Sequence, residues 1–164
     1  MQEPKGDELD RDEVIEWYEK EGGIRLTRVN NKKRKILHDQ TGRLYCLLVA
    51  RETWKQWHGL DREILDNEID WVDGVLIIAI RHKKLINIYE GPIRPLVQRK
   101  DFLSKGYKFH TREKGDWLFV SEVPDFSLKK VGTANNPKDL RVLMEKLKEN
   151  PALMDKLMEH LDRA

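Results

Sequence analysis

Uninterrupted and alternating apolar runs predict a β-sheet at the centre of this chain. Val75–Ile80 carries no charge and is β-branched or leucine apart from Ala79, which is typical of a strand buried on both faces. A polar turn at 81–84 and the alternation over Leu85–Tyr89 predict an antiparallel return strand. We expect this hairpin to lie in the middle of the sheet.

Shorter runs predict further strands on both sides of the hairpin. Three of them, joined by polar turns, predict a meander: Ile24–Val29, Arg34–His38 and Arg43–Ala50. Tyr107–Arg112 and Trp117–Val123, joined by a turn at 113–116, predict a second hairpin. Most of the sheet is therefore expected to be antiparallel.

Helical spacing with capping residues occurs in short segments between the strands. Asp10–Gly22, Arg51–His58 and a segment that begins at Asp61 are predicted helices. Two prolines limit ladder hydrogen bonding around Ile93–Val97, which is expected to be an edge strand or a loop. Together these elements predict an α+β fold, with an antiparallel β-sheet flanked by short helices.

The C-terminal segment carries one apolar stripe with three- and four-residue spacing. Pro151 interrupts it, which predicts either a kink or a second helix start capped by Asn150. We expect a dimerisation helix, with a helical hairpin folded onto its own domain as the alternative. The predicted dimerisation residues are Leu140, Leu143, Leu147, Met154, Leu157 and Leu161. The predicted organisation is an α+β domain over 1–126, a linker over 127–135 and the helical segment over 136–164.

The net charge of +2 conceals three unlike segments. Residues 1–21 contain 3 basic and 9 acidic residues, a balance of −6, whereas residues 22–130 contain 22 basic and 14 acidic residues, a balance of +8. Residues 131–164 contain 6 basic and 6 acidic residues, a balance of 0. A segregated cationic excess favours a polyanionic partner, with simple solvation of the lysines as the alternative. The 37% content of charged residues also fits a thermophilic source.

The single cysteine and the lack of long apolar stretches indicate the cellular compartment of the protein. Cys46 lies in an apolar run and is expected to be a small core residue in a reducing compartment. No apolar stretch approaches the roughly 20 residues of a membrane span, and the acidic N-terminus does not resemble a signal peptide. We expect a soluble, cytoplasmic protein without a membrane partner.

Motifs for catalysis and metal binding are missing from the sequence. The five histidines are scattered, with no second cysteine and no glycine-rich phosphate loop. Asp73 and Glu90 flank the central hairpin and leave a metal-dependent nuclease as an alternative, although no lysine follows Glu90 at the required place. We therefore predict a protein that is not an enzyme and that needs no cofactor and no metal.

Cations and aromatic rings recur through the middle of the chain. Single-stranded nucleic acid offers a phosphate at every step and a base face between, so its nonspecific binders combine a basic groove with stacking rings. The candidate cations are Arg81, Lys83, Lys84, Arg94, Arg99, Lys100, Lys108 and Arg112. The candidate rings are Trp54, Trp57, Tyr89, Tyr107, Phe109 and Trp117, with core packing as the alternative for the tryptophans.

This pattern predicts a non-catalytic, sequence-nonspecific binder of single-stranded DNA, with RNA as a second ligand class. A protein-interaction module that acts through the C-terminal helix is a further alternative.

The layout resembles ThermoDBP, a family of archaeal single-stranded DNA-binding proteins from hyperthermophiles. The likeness is carried by Val75–Ile80 with its hairpin, by the tryptophans at 54, 57 and 71, and by the stripe from Leu140 to Leu161. It is a likeness of layout and length, so no binding residue is transferred from the family. The resemblance implies a homodimer that binds single-stranded DNA without strong sequence preference.

Overall fold

The computed structural model of the chain describes residues 6–29, 32–33, 35–52 and 56–135, which form one sheet with helices on both of its faces. In chain order the elements are helix α1 (Gly6–Gly22), strands β1 (Thr27–Arg28), β2 (Ile36–His38), β3 (Leu44–Arg51) and β4 (Gln56–Gly59), helix α2 (Arg62–Leu65), strands β5 (Val75–Arg81) and β6 (Leu85–Pro92), helix α3 (Arg94–Gln98), a 3₁₀ turn (Lys100–Phe102), and strands β7 (Lys108–Lys114), β8 (Trp117–Val120) and β9 (Ser127–Asn135).

The nine strands follow the order β1-β2-β3-β5-β6-β9-β8-β7-β4. Every neighbouring pair is antiparallel except β3 and β5, which are parallel. The predicted central hairpin is β5–β6, the predicted meander is β1–β2–β3, and the predicted second hairpin is β7–β8. The α+β prediction with a mostly antiparallel sheet is therefore confirmed.

The predicted linker at 127–135 was wrong. This segment is strand β9, which lies between β6 and β8 and buries Leu128 and Ala134 on opposite faces of the sheet. The register shifts between Ile88 and Tyr89 of β6, and such a bulge breaks the period-two alternation that identifies a strand in sequence. The absence of a clean alternation concealed this strand.

Two other local predictions were also wrong. The segment expected to be a helix at Arg51–His58 contains strand β4, in which Gln56 and His58 are buried and Trp57 is exposed. Ile93–Val97, expected to be an edge strand or a loop, lies in the region of helix α3, where proline stands in the first turn and its missing N–H is tolerated. The secondary structure of both short segments therefore depends on tertiary packing rather than on local spacing.

The inner face of the sheet encloses the larger core. Strands from different parts of the sheet contribute to this core, including Ile78 of β5, Phe109 of β7 and Leu118 of β8. Helices α2 and α3 cover it. Cys46 is buried here, and burial raises the pKa of its thiol to about 12, so the expectation of a core cysteine is confirmed.

The sheet curls so that strand β4, at one end of the strand order, comes close to strand β3. Five strands separate β3 from β4 in the sheet order, yet Leu48 and Val49 of β3 line the same cleft as Trp57 and His58 of β4. The fold is therefore an incompletely closed barrel, and we call this gap the seam cleft.

Helix α1 covers only part of the outer face. Val14 and Tyr18 pack on β3, β5 and β6, and the indole of Trp17 lies against the backbone of Gly132 in β9. A salt bridge of 3.2 Å between Asp10 and Arg81 ties α1 to β5. The outward side chains of β4, β7 and β8 stay exposed beyond the helix.

Within the described ranges, no helix has the length and apolar composition needed to cross a membrane. The predicted dimerisation residues and Pro151, all within 136–164, lie outside the described residues, as does Trp54.

Candidate nucleic-acid interface

The outward side chains of β4, β7, β8 and the start of β9 form one uncovered surface. Along β7 and β8 successive residues point to opposite sides, so Phe109 and Leu118 fill the core while their neighbours face outward. We call this surface the open face; its residues are Trp57, Lys108, His110, Arg112, Lys114, Trp117, Phe119 and Lys129.

Strand register places a cation beside each ring of β8. Trp117 lies directly opposite Lys114 of β7 and Lys129 of β9. Phe119 lies directly opposite Arg112. Directly paired residues on one face have Cβ atoms about 5 Å apart, so a ligand that contacts one ring is also within reach of a positive charge.

Trp57 rests on the imidazole of His110, its partner across the β4–β7 ladder. Glu122 holds this histidine, with 2.6 Å between its Oε2 and His110 Nδ1 and 2.7 Å between its Oε1 and the His110 backbone nitrogen. Burial raises the pKa of Glu122, but the hydrogen bonds from His110 outweigh burial and lower it. A fixed, charged carboxylate therefore orients the imidazole that supports Trp57.

The rings of the open face are unusually accessible for strand residues. Trp57 is 56% exposed, Trp117 is 44% exposed and Phe119 is 39% exposed. Among the described residues the other exposed aromatic ring is Phe102, in the 3₁₀ turn. Large apolar side chains in strands normally face the core, and an exposed group of them marks an interaction surface.

The cations of the open face are not neutralised by neighbours. Within the described parts of the chain, Lys108, Arg112, Lys114 and Lys129 form no ion pair. The open face therefore presents four positive charges among its three exposed rings.

Two predicted rings were wrong because they lie in the core, and two other predicted residues have structural contacts. Tyr89 is 1% exposed and Phe109 is 0% exposed, so neither can stack on a base. Tyr107 packs partly against the larger core. Arg81 is held by Asp10 and serves to anchor α1. These side chains point inward or pair within the fold, which a linear pattern does not reveal.

Other predicted cations lie on separate elements. Lys83 and Lys84 occupy the β5–β6 turn, Arg94 begins α3, and Arg99 forms a salt bridge with Asp125 next to Lys100. Of the predicted residues, the structure brings together Trp57, Lys108, Arg112 and Trp117 on the open face. Trp71 is buried in the larger core, so the core alternative is confirmed for that tryptophan.

Sequence reasoning missed His110, Lys114, Phe119 and Lys129. Phe119 belongs to an unbroken apolar run in β8, in which the sequence alone does not show which side is outward. Lys129 falls in the segment that was taken for a linker. The pairing of β8 with β9 supplies the missing information.

The two carboxylates of the nuclease alternative have different surroundings. Glu90 lies opposite Ile77 and accepts a 2.9 Å hydrogen bond from the Tyr18 hydroxyl, whereas Asp73 precedes strand β5. In the part of the chain that the structure describes, no three histidine, cysteine or acidic residues are grouped to hold a metal ion. These contacts give the nuclease alternative no added support.

Comparison with protein-family models, with curated proteins and with solved structures finds no match to this chain.

Proposed function

We propose that this protein binds single-stranded nucleic acid through the open face, without strong sequence preference and without catalysis. The observation that carries the proposal is the cross-strand register of β7, β8 and β9, which puts Lys114 and Lys129 beside Trp117 and puts Arg112 beside Phe119. The surface supplies a ring for a base and a cation for a phosphate at each step.

The spacing of the rings suits successive bases of an extended strand. Trp117 and Phe119 are two residues apart on one strand, which separates their attachment points by about 7 Å along β8. Each base stacked on an aromatic ring contributes about 1–3 kcal/mol of binding free energy. Because every base has a π-face, such stacking discriminates little between sequences.

The open face is expected to prefer single strands because only a single strand exposes base faces on which its rings can stack. In a duplex each base is already stacked between its neighbours, so the rings of the open face have no partner there. The surface also spans four strands, which is wider than the helix or two-stranded ribbon that the major groove admits. We therefore expect single strands to bind more tightly than duplexes of the same sequence, with DNA as the leading ligand and RNA as the second.

The proposal includes a homodimer formed through the leucine stripe of the C-terminal segment. Two open faces that engage one strand would bind it more tightly than either alone, because the second contact is made at a high effective concentration.

A salt titration of the full chain tests the proposal. Fluorescence anisotropy with a labelled oligothymidine should show affinity that falls with salt, with a logarithmic slope of about −0.7 for each phosphate contact. The triple variant Arg112→Gln, Lys114→Gln, Lys129→Gln should bind more weakly and have a shallower slope. Arg112→Gln alone should weaken binding in the same direction, whereas Lys84→Gln, which removes one charge in the β5–β6 turn, should leave affinity and slope unchanged. Affinity that does not respond to salt, or a triple variant that binds like the parent protein, would refute the proposal.

A further inference from the structure

The seam cleft is a concave site that shares Trp57 with the open face but has other cations. It has a volume of about 490 Å³, and its lining includes Arg11, Lys33, Lys35, Trp57 and Gly59. We infer that this cleft binds a nucleoside monophosphate unit, either as the phosphorylated end of a strand or as a free nucleotide. The strand-end form rests on the proposed function, whereas the free-nucleotide form does not.

The charge of the cleft favours a phosphate. Three of its described lining residues are cations, and none of the described lining residues is acidic. Lys33 and Lys35 both contact Asp61, with Nζ to carboxylate oxygen distances of 3.2 Å each. Two ammonium groups thus share one carboxylate, which leaves an excess positive charge that a phosphate can neutralise with charge-assisted hydrogen bonds.

Arg11 adds a positioned guanidinium to the same cleft. Its Nη1 donates a hydrogen bond to the backbone carbonyl of Leu47 in β3, which fixes the side chain at the wall of the cleft. A planar guanidinium with several N–H donors suits phosphate oxygens. The phosphate is therefore expected between α1 and the segment that precedes β2.

Trp57 provides a stacking surface for the base. The exposed indole lines both the seam cleft and a neighbouring cavity that contains Lys108. A Cβ atom added at Gly59 would meet nothing within 4 Å, so there is open space two residues from Trp57 on the same strand. In the described residues β4 pairs only with β7, so Trp57 lies on a strand at the edge of the sheet.

The cleft also has the right size and position for the end of a strand. Small-ligand pockets have volumes of about 300–1,000 Å³, a range that includes this cleft. Trp57 belongs to the open face as well as to the cleft, so a strand that crosses the open face can end there. A base on Trp57 would then lie next to its terminal phosphate on Lys33 and Lys35.

Free nucleotide binding tests the site independently of strand binding. Calorimetric titration of the full chain should show that thymidine monophosphate binds at least about tenfold more tightly than thymidine or inorganic phosphate alone, because only the first uses both ring and cations. The double variant Lys33→Gln, Lys35→Gln should abolish this preference. Asp61→Asn leaves both lysines in place and removes their shared carboxylate, so it should strengthen binding of the monophosphate. The triple open-face variant should not change it.

Strand-end binding is tested with matched oligothymidines. A linear strand with a terminal phosphate should bind more tightly than the same strand with terminal hydroxyls, and the Lys33→Gln, Lys35→Gln variant should lose this difference. A circular single strand has no end and should bind the parent protein and the double variant equally. Thermal melting of each variant verifies that it is folded.

The outcomes separate the two proposals. If the parent protein binds no single strand but still prefers thymidine monophosphate to thymidine and inorganic phosphate, the proposed function is refuted and the cleft is supported. If the parent protein binds the circular strand but prefers neither the monophosphate nor a phosphorylated end, the proposed nucleotide site in the cleft is overturned. The open face is then still supported. Weaker monophosphate binding by the folded Asp61→Asn variant would also overturn the cleft.

Discussion

Phe119 lies directly across the β7–β8 ladder from Arg112, and both side chains are exposed on the open face. The register that pairs them also turns Leu118 and Val120 into the larger core. Core packing therefore fixes the side on which ring and cation meet. A slip of one residue would bury the ring and expose the leucine.

Removal of a ring from the open face should weaken binding without weakening the fold. We expect Phe119→Ala and Trp117→Ala each to reduce the affinity for oligothymidine by about 1–3 kcal/mol, since each loses one stacked base. Anisotropy titration measures the affinity, and thermal melting measures stability. Phe102→Ala removes an exposed ring outside the open face and should bind like the parent protein. Equal losses in Phe102→Ala and Phe119→Ala would contradict the assignment of the open face.

The buried imidazole of His58 should make the fold sensitive to mild acid. Burial lowers the pKa of His58 from 6.5 to about 4, and its Nε2 lies 2.9 Å from the Thr111 hydroxyl. Between these pH values the unfolded chain binds a proton that the folded chain does not, so stability is complete above pH 6.5 and declines toward pH 4. The decline should be up to roughly 3 kcal/mol. Denaturant unfolding at several pH values should show a flatter profile for His58→Gln, and identical profiles would disprove this origin.

The close contact between Trp17 and Gly132 should make that glycine sensitive to substitution. A Cβ atom at Gly132 would overlap the indole ring that α1 places on β9. Because overpacking typically costs about 1–3 kcal/mol, Gly132→Ala should lower the free energy of unfolding by that amount. Gly59→Ala is the matched control, since an added Cβ there meets no atom within 4 Å. Equal unfolding free energies for the two variants would show that α1 does not depend on this contact.

Glu113 should contribute stability that is lost only in stronger acid. Its carboxylate accepts hydrogen bonds from the Tyr89 hydroxyl at 2.6 Å and from Asn87 Nδ2 at 3.0 Å, and it pairs with His82 at 2.9 Å. Burial raises the pKa of Glu113, but these bonds outweigh it and lower the pKa below the ordinary 4.5. The stabilisation is therefore present above pH 4.5 and lost as the pH falls through the lower folded value.

A charge-removing substitution tests this contribution. Glu113→Gln should lower the free energy of unfolding at pH 7 by about 1–3 kcal/mol. The difference from the parent protein should shrink below pH 4.5, and Glu68→Gln in the exposed turn should show no such difference at either pH. A difference that is the same at pH 7 and in strong acid would contradict the role of the charge.

Local patterns predicted the parts of the fold whose partners are close in sequence. The β5–β6 and β7–β8 hairpins were predictable because a short turn brings each strand back beside the previous one. Strand β9 was not, because its neighbours β6 and β8 are set by long-range pairing and its alternation is broken by a bulge. The parallel pairing of β3 with β5 also depends on a long crossover that no short pattern reveals.

The candidate site was likewise predictable only in part. Trp57, Lys108, Arg112 and Trp117 were predicted from residue type, since rings and cations suit single strands wherever they meet. Phe109 and Arg112 stand on one strand and were both predicted, yet only Arg112 faces outward. Residue type identified the candidates, but the side of the sheet determined which of them can touch a ligand.

The sequence by itself determined the mostly antiparallel sheet, its hairpins, the cationic middle of the chain and the residue types suited to a single strand, because these depend on composition and on neighbours along the chain. Only the tertiary structure decided which rings stay exposed, where α1 stops covering the outer face, and that β4 curls back toward β3 to leave a cleft. Those outcomes depend on strand order, register and curvature, which arise from contacts between residues far apart in sequence.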